Sequence, residues 1–251
     1  MTKVSKLKLI KSLIILSCFL GIVFVFSSFS SSSETEREED VRYDVKDDEI
    51  ILNLDAVERE YISSSKINSI DKINFNLDAE GKPLDSEKLS TLKYNPEGFL
   101  TETIIYNDEG GVKFSFTYDY DSKGLRTRTS RYINNKLTNY YTYEYNEFGN
   151  KTKAFRYNTE DELEEYYIYE YDTEGNLVEE EWFSPEGKKV YNIENDYDNN
   201  VKTRSYTYDE SGHLVFEYLF RYDDKGNVIE EIRYDNSGLQ TGIIQYIYKY
   251  F

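Results

Sequence analysis

Seven tyrosines, Tyr94, Tyr120, Tyr145, Tyr171, Tyr197, Tyr222 and Tyr248, follow one another at steps of 26, 25, 26, 26, 25 and 26 residues. A second aromatic series runs halfway between them: Tyr106, Tyr132, Tyr157, Phe183, Tyr208 and Tyr234. A turn sequence follows each aromatic but Tyr248, at Gly98, Gly110, Gly124, Asn135-Lys136, Gly149, Asp161-Glu162, Gly175, Gly187, Asn199-Asn200, Gly212, Gly226 and Gly238. Asp or Asn opens such a turn by bonding back to its own backbone, and Gly closes it at positive φ. Where Gly is missing, Asn and Asp tolerate that conformation best. About eight residues separate successive turns, an ordinary strand length. The chain therefore reads as all-β, an antiparallel meander of tandem β-hairpins with one two-strand repeat every 25 or 26 residues.

Within the strands the rings alternate, as in Phe114/Phe116/Tyr118/Tyr120, Tyr167/Tyr169/Tyr171 and Tyr246/Tyr248/Tyr250. Period two sets each group on one face and leaves a more polar set on the other. The 26 Tyr and 14 Phe of the chain suit such a sheet, because flat rings pack against cross-strand neighbours. A flat sheet of a dozen strands would extend about 60 Å at the usual strand spacing, and sheets that wide twist or curl. The expectation is a twisted or coiled, solenoid-like sheet with a free edge at its last strand.

Residues 94–251 hold the repeats. Residues 49–93 are expected to cap them: Ile50, Leu54, Val57 and Tyr61 recur at helical spacing behind Asp47 or Asp48, and capping strands follow. Residues 31–48 form an acidic, serine-led linker expected to be disordered. Residues 1–30 carry Lys3, Lys6, Lys8 and Lys11 ahead of the apolar run Leu13–Phe26, the grammar of a signal peptide or signal-anchor. The rest of the chain is thus expected to be exported: periplasmic, cell-surface or secreted, and membrane-anchored if residues 12–29 are retained or Cys18 is lipidated.

Loss of residues 1–30 removes four lysines and no acids, taking the formal charge from −18 to −18 − 4 = −22. Nucleic acid is excluded as a partner on that balance, since phosphate binding needs surplus Lys and Arg. Cys18 is the single cysteine, so the exported part has no disulfide or thiolate chemistry. His213 is the single histidine, in a turn beside Gly212, and no Ser-His-Asp or metal-spaced His set exists. No cofactor is expected. The acidic turns Asp172–Asn176 and Asp223–Asn227 offer oxygen atoms for calcium, although turn chemistry explains the same residues.

At Tyr169–Glu180 and Phe220–Glu231 the sequence resembles the YD repeats of the Rhs family, through Tyr171-Asp172, Gly175 and Leu177, and through Tyr222-Asp223, Gly226 and Val228. The resemblance covers Tyr94–Phe251 and implies a β-strip scaffold on a bacterial exported protein, without implying toxin delivery.

Where the repeats break, binding residues are sought. Trp182-Phe183 replaces the usual tyrosine, and neighbouring strand residues face opposite ways, so one of these rings is available to stack on a sugar or peptide. Tyr246, Tyr248 and Tyr250 line the last strand, Gln245–Phe251, whose edge could pair with another strand. The expected function is a non-enzymatic, exported β-repeat protein of the cell envelope or surface that binds a protein or glycan partner. The alternative is a structural module that oligomerises through the open C-terminal edge.

Overall fold

A computed structural model describes residues 54–78 and 80–251. The expected signal segment, the linker, Cys18 and the Asp47/Asp48 helix cap lie outside the described residues. One helix, α1 (Leu54–Ser64), precedes fourteen strands. These are β1 (Ile67–Leu77), β2 (Pro83–Tyr94), β3 (Leu100–Tyr106), β4 (Val112–Tyr120), β5 (Arg126–Ile133), β6 (Lys136–Tyr145) and β7 (Lys151–Asn158). They continue with β8 (Leu163–Tyr171), β9 (Leu177–Phe183), β10 (Lys189–Asp198), β11 (Val201–Asp209), β12 (Leu214–Tyr222), β13 (Val228–Asp235) and β14 (Gln240–Tyr250).

Every strand pairs antiparallel with its sequence neighbours, and β14 pairs with β1, so the sheet is a closed barrel. The turns behave as their residues require. In the turn after β8, Gly175 N–H donates to Asp172 O while Asp172 Oδ1 accepts from Glu174 N and Asn176 N at 3.0 and 2.8 Å. The turn glycines take positive φ, and Asn134-Asn135, Asp161 and Asn199-Asn200 do so where Gly is missing. The first of these turns is centred one residue earlier than the sequence expectation.

Closure overturns the expected open, solenoid-like sheet. The seam aligns Ile67 with Tyr250, Ile70 with Tyr248, Lys72 with Tyr246 and Phe75 with Ile243. Phe251 N–H adds a bond to Lys66 O at 2.8 Å. Fourteen strands at the usual spacing are enough to curl round and meet, and closure satisfies the backbone groups that a free edge would leave unpaired. The C-terminal strand therefore offers no edge for oligomerisation, and that alternative falls with the open sheet. The YD-repeat, Rhs-like reading is corrected on the same ground, since a closed up-and-down barrel is not a repeat solenoid. The strands at residues 67–94 are the first two staves of the wall.

Helix α1 packs one face on the barrel, with Ile62 1 % exposed among Ile67, Ile70, Leu92 and Tyr94. Its last turn ends through Ser65 N–H to Tyr61 O at 2.8 Å, and Lys66 follows at φ 56°. The helix crosses the end of the barrel that carries the Gly98, Gly124 and Gly226 turns. Arg59 Nη1 donates to Gly124 O at 2.9 Å, Ser63 Oγ to Pro96 O at 2.8 Å, and Tyr61 Oη to Asn227 Oδ1. Gly98 is required here for space as well as conformation: a Cβ on it would stand 2.1 Å from Arg59 O.

Candidate functional site

Which residues face inward follows from register, because directly opposed residues share a face. At the seam a row begins Ile70–Leu92–Thr103–Phe116–Arg131. On the far side, Tyr143–Ala154–Tyr167–Trp182–Tyr191 is a similar inner row. Strict alternation would put Lys151 and Lys153 on one face. Instead the register slips beside Tyr145, so that Tyr145 opposes Lys151 while Glu144 opposes Lys153. The same slip occurs beside Tyr120, opposing Arg126, and beside Tyr197, opposing Lys202. Such a bulge inserts one residue and re-aims the side chain. Arg126, Lys151 and Lys202 are thereby turned into the lumen, in positions that Leu100, Leu177 and Val228 fill in other hairpins.

The tyrosines before these turns brace the same end. Tyr120, Tyr145, Tyr197, Tyr222 and Tyr248 donate their hydroxyls to the carbonyls of Leu100, Arg126, Leu177, Lys202 and Val228, at 2.6 to 2.9 Å. Each tyrosine thus ties a strand end to its neighbour's bulge and presents a ring, not a hydroxyl, to the interior.

The lumenal cations rest on rings. Arg126 lies over Tyr118, Arg131 over Phe114, Lys202 over Phe220, Arg233 over Phe216 and Lys72 over Tyr246. Lys151 lies 4.9 Å from the Tyr143 centroid and 5.2 Å from that of Tyr169. Cation–π contacts of this kind strengthen when water is excluded. Inward carboxylates are interspersed: Glu165 pairs with Arg156 at 2.6 Å and accepts from Tyr167 Oη, while Glu231 accepts from Tyr246 Oη. Glu180 is 9 % exposed, and its Oε2 has no hydrogen-bond partner.

Burial sets the electrostatics. Desolvation pushes the Glu180 carboxyl up to about 7 against the pull of Lys151 and Lys202. It lowers Lys202 to about 8 despite Glu231 and Glu180, and it also lowers Lys151. Glu58, reaching from α1, is raised to about 8 by burial and then by Asp55, with Arg126, Lys151 and Lys72 opposing. Beneath α1 a small cavity is lined by Asp55, Glu58, Tyr94, Tyr120 and Arg126. The lumen is not filled solid. Lys72 and Glu231 face inward yet keep 17 % and 16 % side-chain exposure, 3.9 Å apart. Fourteen strands lie between the roughly eight whose side chains can fill a barrel and the sixteen or more that leave a water channel.

The outer wall is of another kind. Thr117, Asp119, Lys153, Glu170, Arg204 and Arg221 stand exposed along it. Cross-strand pairs join Lys93 to Glu102 at 2.7 Å, Arg204 to Glu217 at 2.6 Å and Arg221 to Glu230 at 3.1 Å. A lipid-facing wall would carry an apolar band, and each Arg or Lys at its middle costs about 2–4 kcal/mol. This wall faces water.

The sequence-derived binding residues separate. Trp182 lines the inner wall, stacked on Tyr167 at 5.6 Å and edge-on to Tyr191 at 4.6 Å. Phe183 lies outside, stacked on Tyr166 at 4.9 Å, and with Phe155 these form an outer row of rings. Tyr246 and Tyr248 point inward, whereas Tyr250 is 54 % exposed at the rim. In the acidic turns Asp172 and Asp223 spend Oδ1 on backbone N–H groups and Oδ2 on Asn176 and Asn227. Among the described residues no group of three His, Cys, Asp or Glu side chains is placed to hold a metal. The lumenal lysines and arginines were missed from sequence. Their one signal was a basic residue two places after the turn, at Arg126, Lys151 and Lys202.

No protein-family profile and no curated protein matches the sequence. Among solved structures, a porin-like protein from Bacteroides uniformis ATCC 8492 aligns at 14% identity and TM-score 0.43, over 73% of this chain and 98% of its own. A porin-like protein from Bacteroides vulgatus ATCC 8482 gives 12% and 0.41, over 73% and 98%. A structure titled as an outer membrane lipoprotein-sorting protein domain, from Vibrio parahaemolyticus, gives 14% and 0.33, over 78% and 91%. At such identities and TM-scores they carry no inference about this chain.

Proposed function

We propose that this is an exported, non-enzymatic protein of the cell envelope that holds a small ligand inside a helix-capped barrel. The observation that carries the reading is the lumen itself. Ring faces and cations line it, and Lys72 and Glu231 keep partial access to solvent-sized space within a closed wall. Export rests on the basic and apolar segment at residues 3–26. Membrane attachment belongs to that segment, because the barrel wall is charged outside.

A second reading has its own support: the outer row of Phe155, Tyr166 and Phe183 is a platform for a protein or glycan. One experiment separates the two. Amide chemical shifts of the labelled protein are followed while mixed small organic fragments and short oligosaccharides are added. Lumen binding moves the amides around Lys72, Lys202 and Glu231. Shifts confined to Phe155, Tyr166 and Phe183 establish the outer platform and remove the lumen reading.

A further inference from the structure

The inner wall repeats itself with one omission. Along the even strands the second inward position from the helix-capped end is Leu92, Tyr118, Tyr143, Tyr169, Asn195, Phe220 and Tyr246. Five of these seven are aromatic, and β10 alone places a polar residue there. The next position on β10 is Ile193, where β4, β6, β8 and β12 carry Phe116, Tyr141, Tyr167 and Tyr218. Strand β10 is therefore the thin stave of the wall.

Three polar atoms around it have no partner. Glu180 opposes Ile193 from β9, and Thr207 opposes it from β11. Glu180 Oε2, Thr207 Oγ1 and Asn195 Oδ1 are all buried without a hydrogen bond, in residues 9 %, 3 % and 6 % exposed. Asn195 Nδ2 is used, donating to Leu177 O at 3.0 Å. Buried polar groups left unsatisfied cost about 1–3 kcal/mol each, so a cluster of them marks a place awaiting a partner.

Lys151 lies over the ring of Tyr169, the residue that opposes Glu180 from β8, and Lys202 opposes Tyr197 of β10, so the two lysines flank the same region. Their ammonium groups lie over Tyr143, Tyr169 and Phe220, and among the described residues neither forms an ion pair at contact distance. In the layer toward α1, the hydroxyls of Tyr145, Tyr197 and Tyr222 are already spent on carbonyls. What the lumen offers a ligand here is ring faces, two ammonium groups and a few orphan polar atoms.

We propose that the lumen beside β10 is a binding site for a cyclic carboxylate, whose ring takes the place of the missing side-chain ring at Asn195 and whose carboxylate lies between Lys151 and Lys202. The site rests on the lumen reading of function and narrows it to a ligand class. Glu180, protonated when the ligand's charge is near, donates to the carboxylate or to a hydroxyl beside it. Asn195 Oδ1 and Thr207 Oγ1 take polar substituents on the ring.

The test uses three fluorescent probes of one shape: 2-naphthoate, 2-naphthylmethanol and 2-naphthylmethylammonium. Each is titrated into the full-length protein and into two variants. The proposal expects 2-naphthoate to bind at least tenfold more tightly than the other two. Asn195→Phe, which restores the ring of the other hairpins, removes binding while leaving the thermal transition in place. Lys151→Met with Lys202→Met weakens naphthoate at least tenfold and leaves the weak affinity for the alcohol unchanged. Equal or tighter binding of the alcohol or the ammonium probe, still blocked by Asn195→Phe, overturns the carboxylate class and leaves the lumen as a binding compartment. Naphthoate binding unaltered by Asn195→Phe overturns the placement at β10. If none of the three probes binds, the lumen reading falls with the proposal.

Discussion

The outer wall and the lumen are built from the same residue types and use them in opposite ways. Outside, Lys93 meets Glu102, Arg204 meets Glu217 and Arg221 meets Glu230, each pair spanning adjacent strands in water. Exposed pairs of that kind contribute little to stability, because water and salt screen them. Inside, Lys151 and Lys202 lie on aromatic rings while Glu180 keeps an unpartnered oxygen. The outer arrangement satisfies charge and keeps the barrel soluble. The inner one leaves charge unsatisfied, which is costly for folding and useful for binding. The difference teaches where function is to be sought: at inward charges without contact partners, not at the many paired ones.

Substitutions can break that contrast, and the largest effect belongs to the helix that closes the lumen. Gly98→Ala puts a Cβ against the Arg59 carbonyl and forces a non-glycine residue to φ +84°. A loss of about 3 kcal/mol is expected in chemical denaturation, from strain and lost helix packing. Amide exchange of residues 54–64 should rise in the same variant.

Next comes the seam. Asp71, with 8 % side-chain exposure, accepts from Lys249 at 2.6 Å, from Lys88 at 2.8 Å and from Thr91 Oγ1 at 2.7 Å. Among the described residues it is the one buried carboxylate on the outer face. Burial raises its pKa, but the hydrogen bonds of Lys249, Lys88 and Thr91 outweigh burial and lower it. A lowered carboxylate pKa means stability present above the unfolded value and lost as pH falls through the folded one. Asp71→Ala should cost about 2 kcal/mol at pH 7, less than a fully buried pair because both lysines can return to water. The loss relative to wild type should vanish in acid below the Asp71 pKa.

Glu58 carries the opposite sign. Its folded pKa, about 8, lies above the unfolded value near 4.5, so its contribution is full below 4.5 and is lost as pH climbs toward 8. Glu58→Gln should flatten thermal stability between pH 5 and 8 and add about 1 kcal/mol at pH 9. A variant that tracks wild type across that window would place Glu58 in water. The smallest effect is expected outside: Lys93→Ala should change stability by less than about 0.5 kcal/mol, and less again in high salt.

Turn residues made much of this fold legible in the sequence. Gly and Asn fall where the backbone takes positive φ, and their spacing marks out the hairpins from residue 94 onward. Closure was not legible, because it depends on Ile67–Leu77 meeting Gln240–Tyr250 from the other end of the chain. Alternation tells which face a residue takes and says nothing of which distant strand it meets. The site was hidden for a local reason. Each bulge beside a tyrosine shifts the two-residue rhythm, so Lys151 and Lys202 turn inward from stretches that read as polar and solvated. Trp182 drew notice as an oddity of the repeat, and the structure places it within the wall, between Tyr167 and Tyr191.

Everything proposed for the lumen depends on the sheet being closed, and amide hydrogen exchange resolved by residue tests that directly. If β1 and β14 seal the barrel, the amides of Gln245, Ile247 and Lys249, which lie on the β1-facing side of the strand with Phe251 N–H, should be protected to the same degree as those of Tyr141 and Tyr143 in the middle of the wall. Fast exchange at alternate residues of β14, with slow exchange at the others, is the pattern of an edge strand. That pattern would contradict closure and with it the lumen.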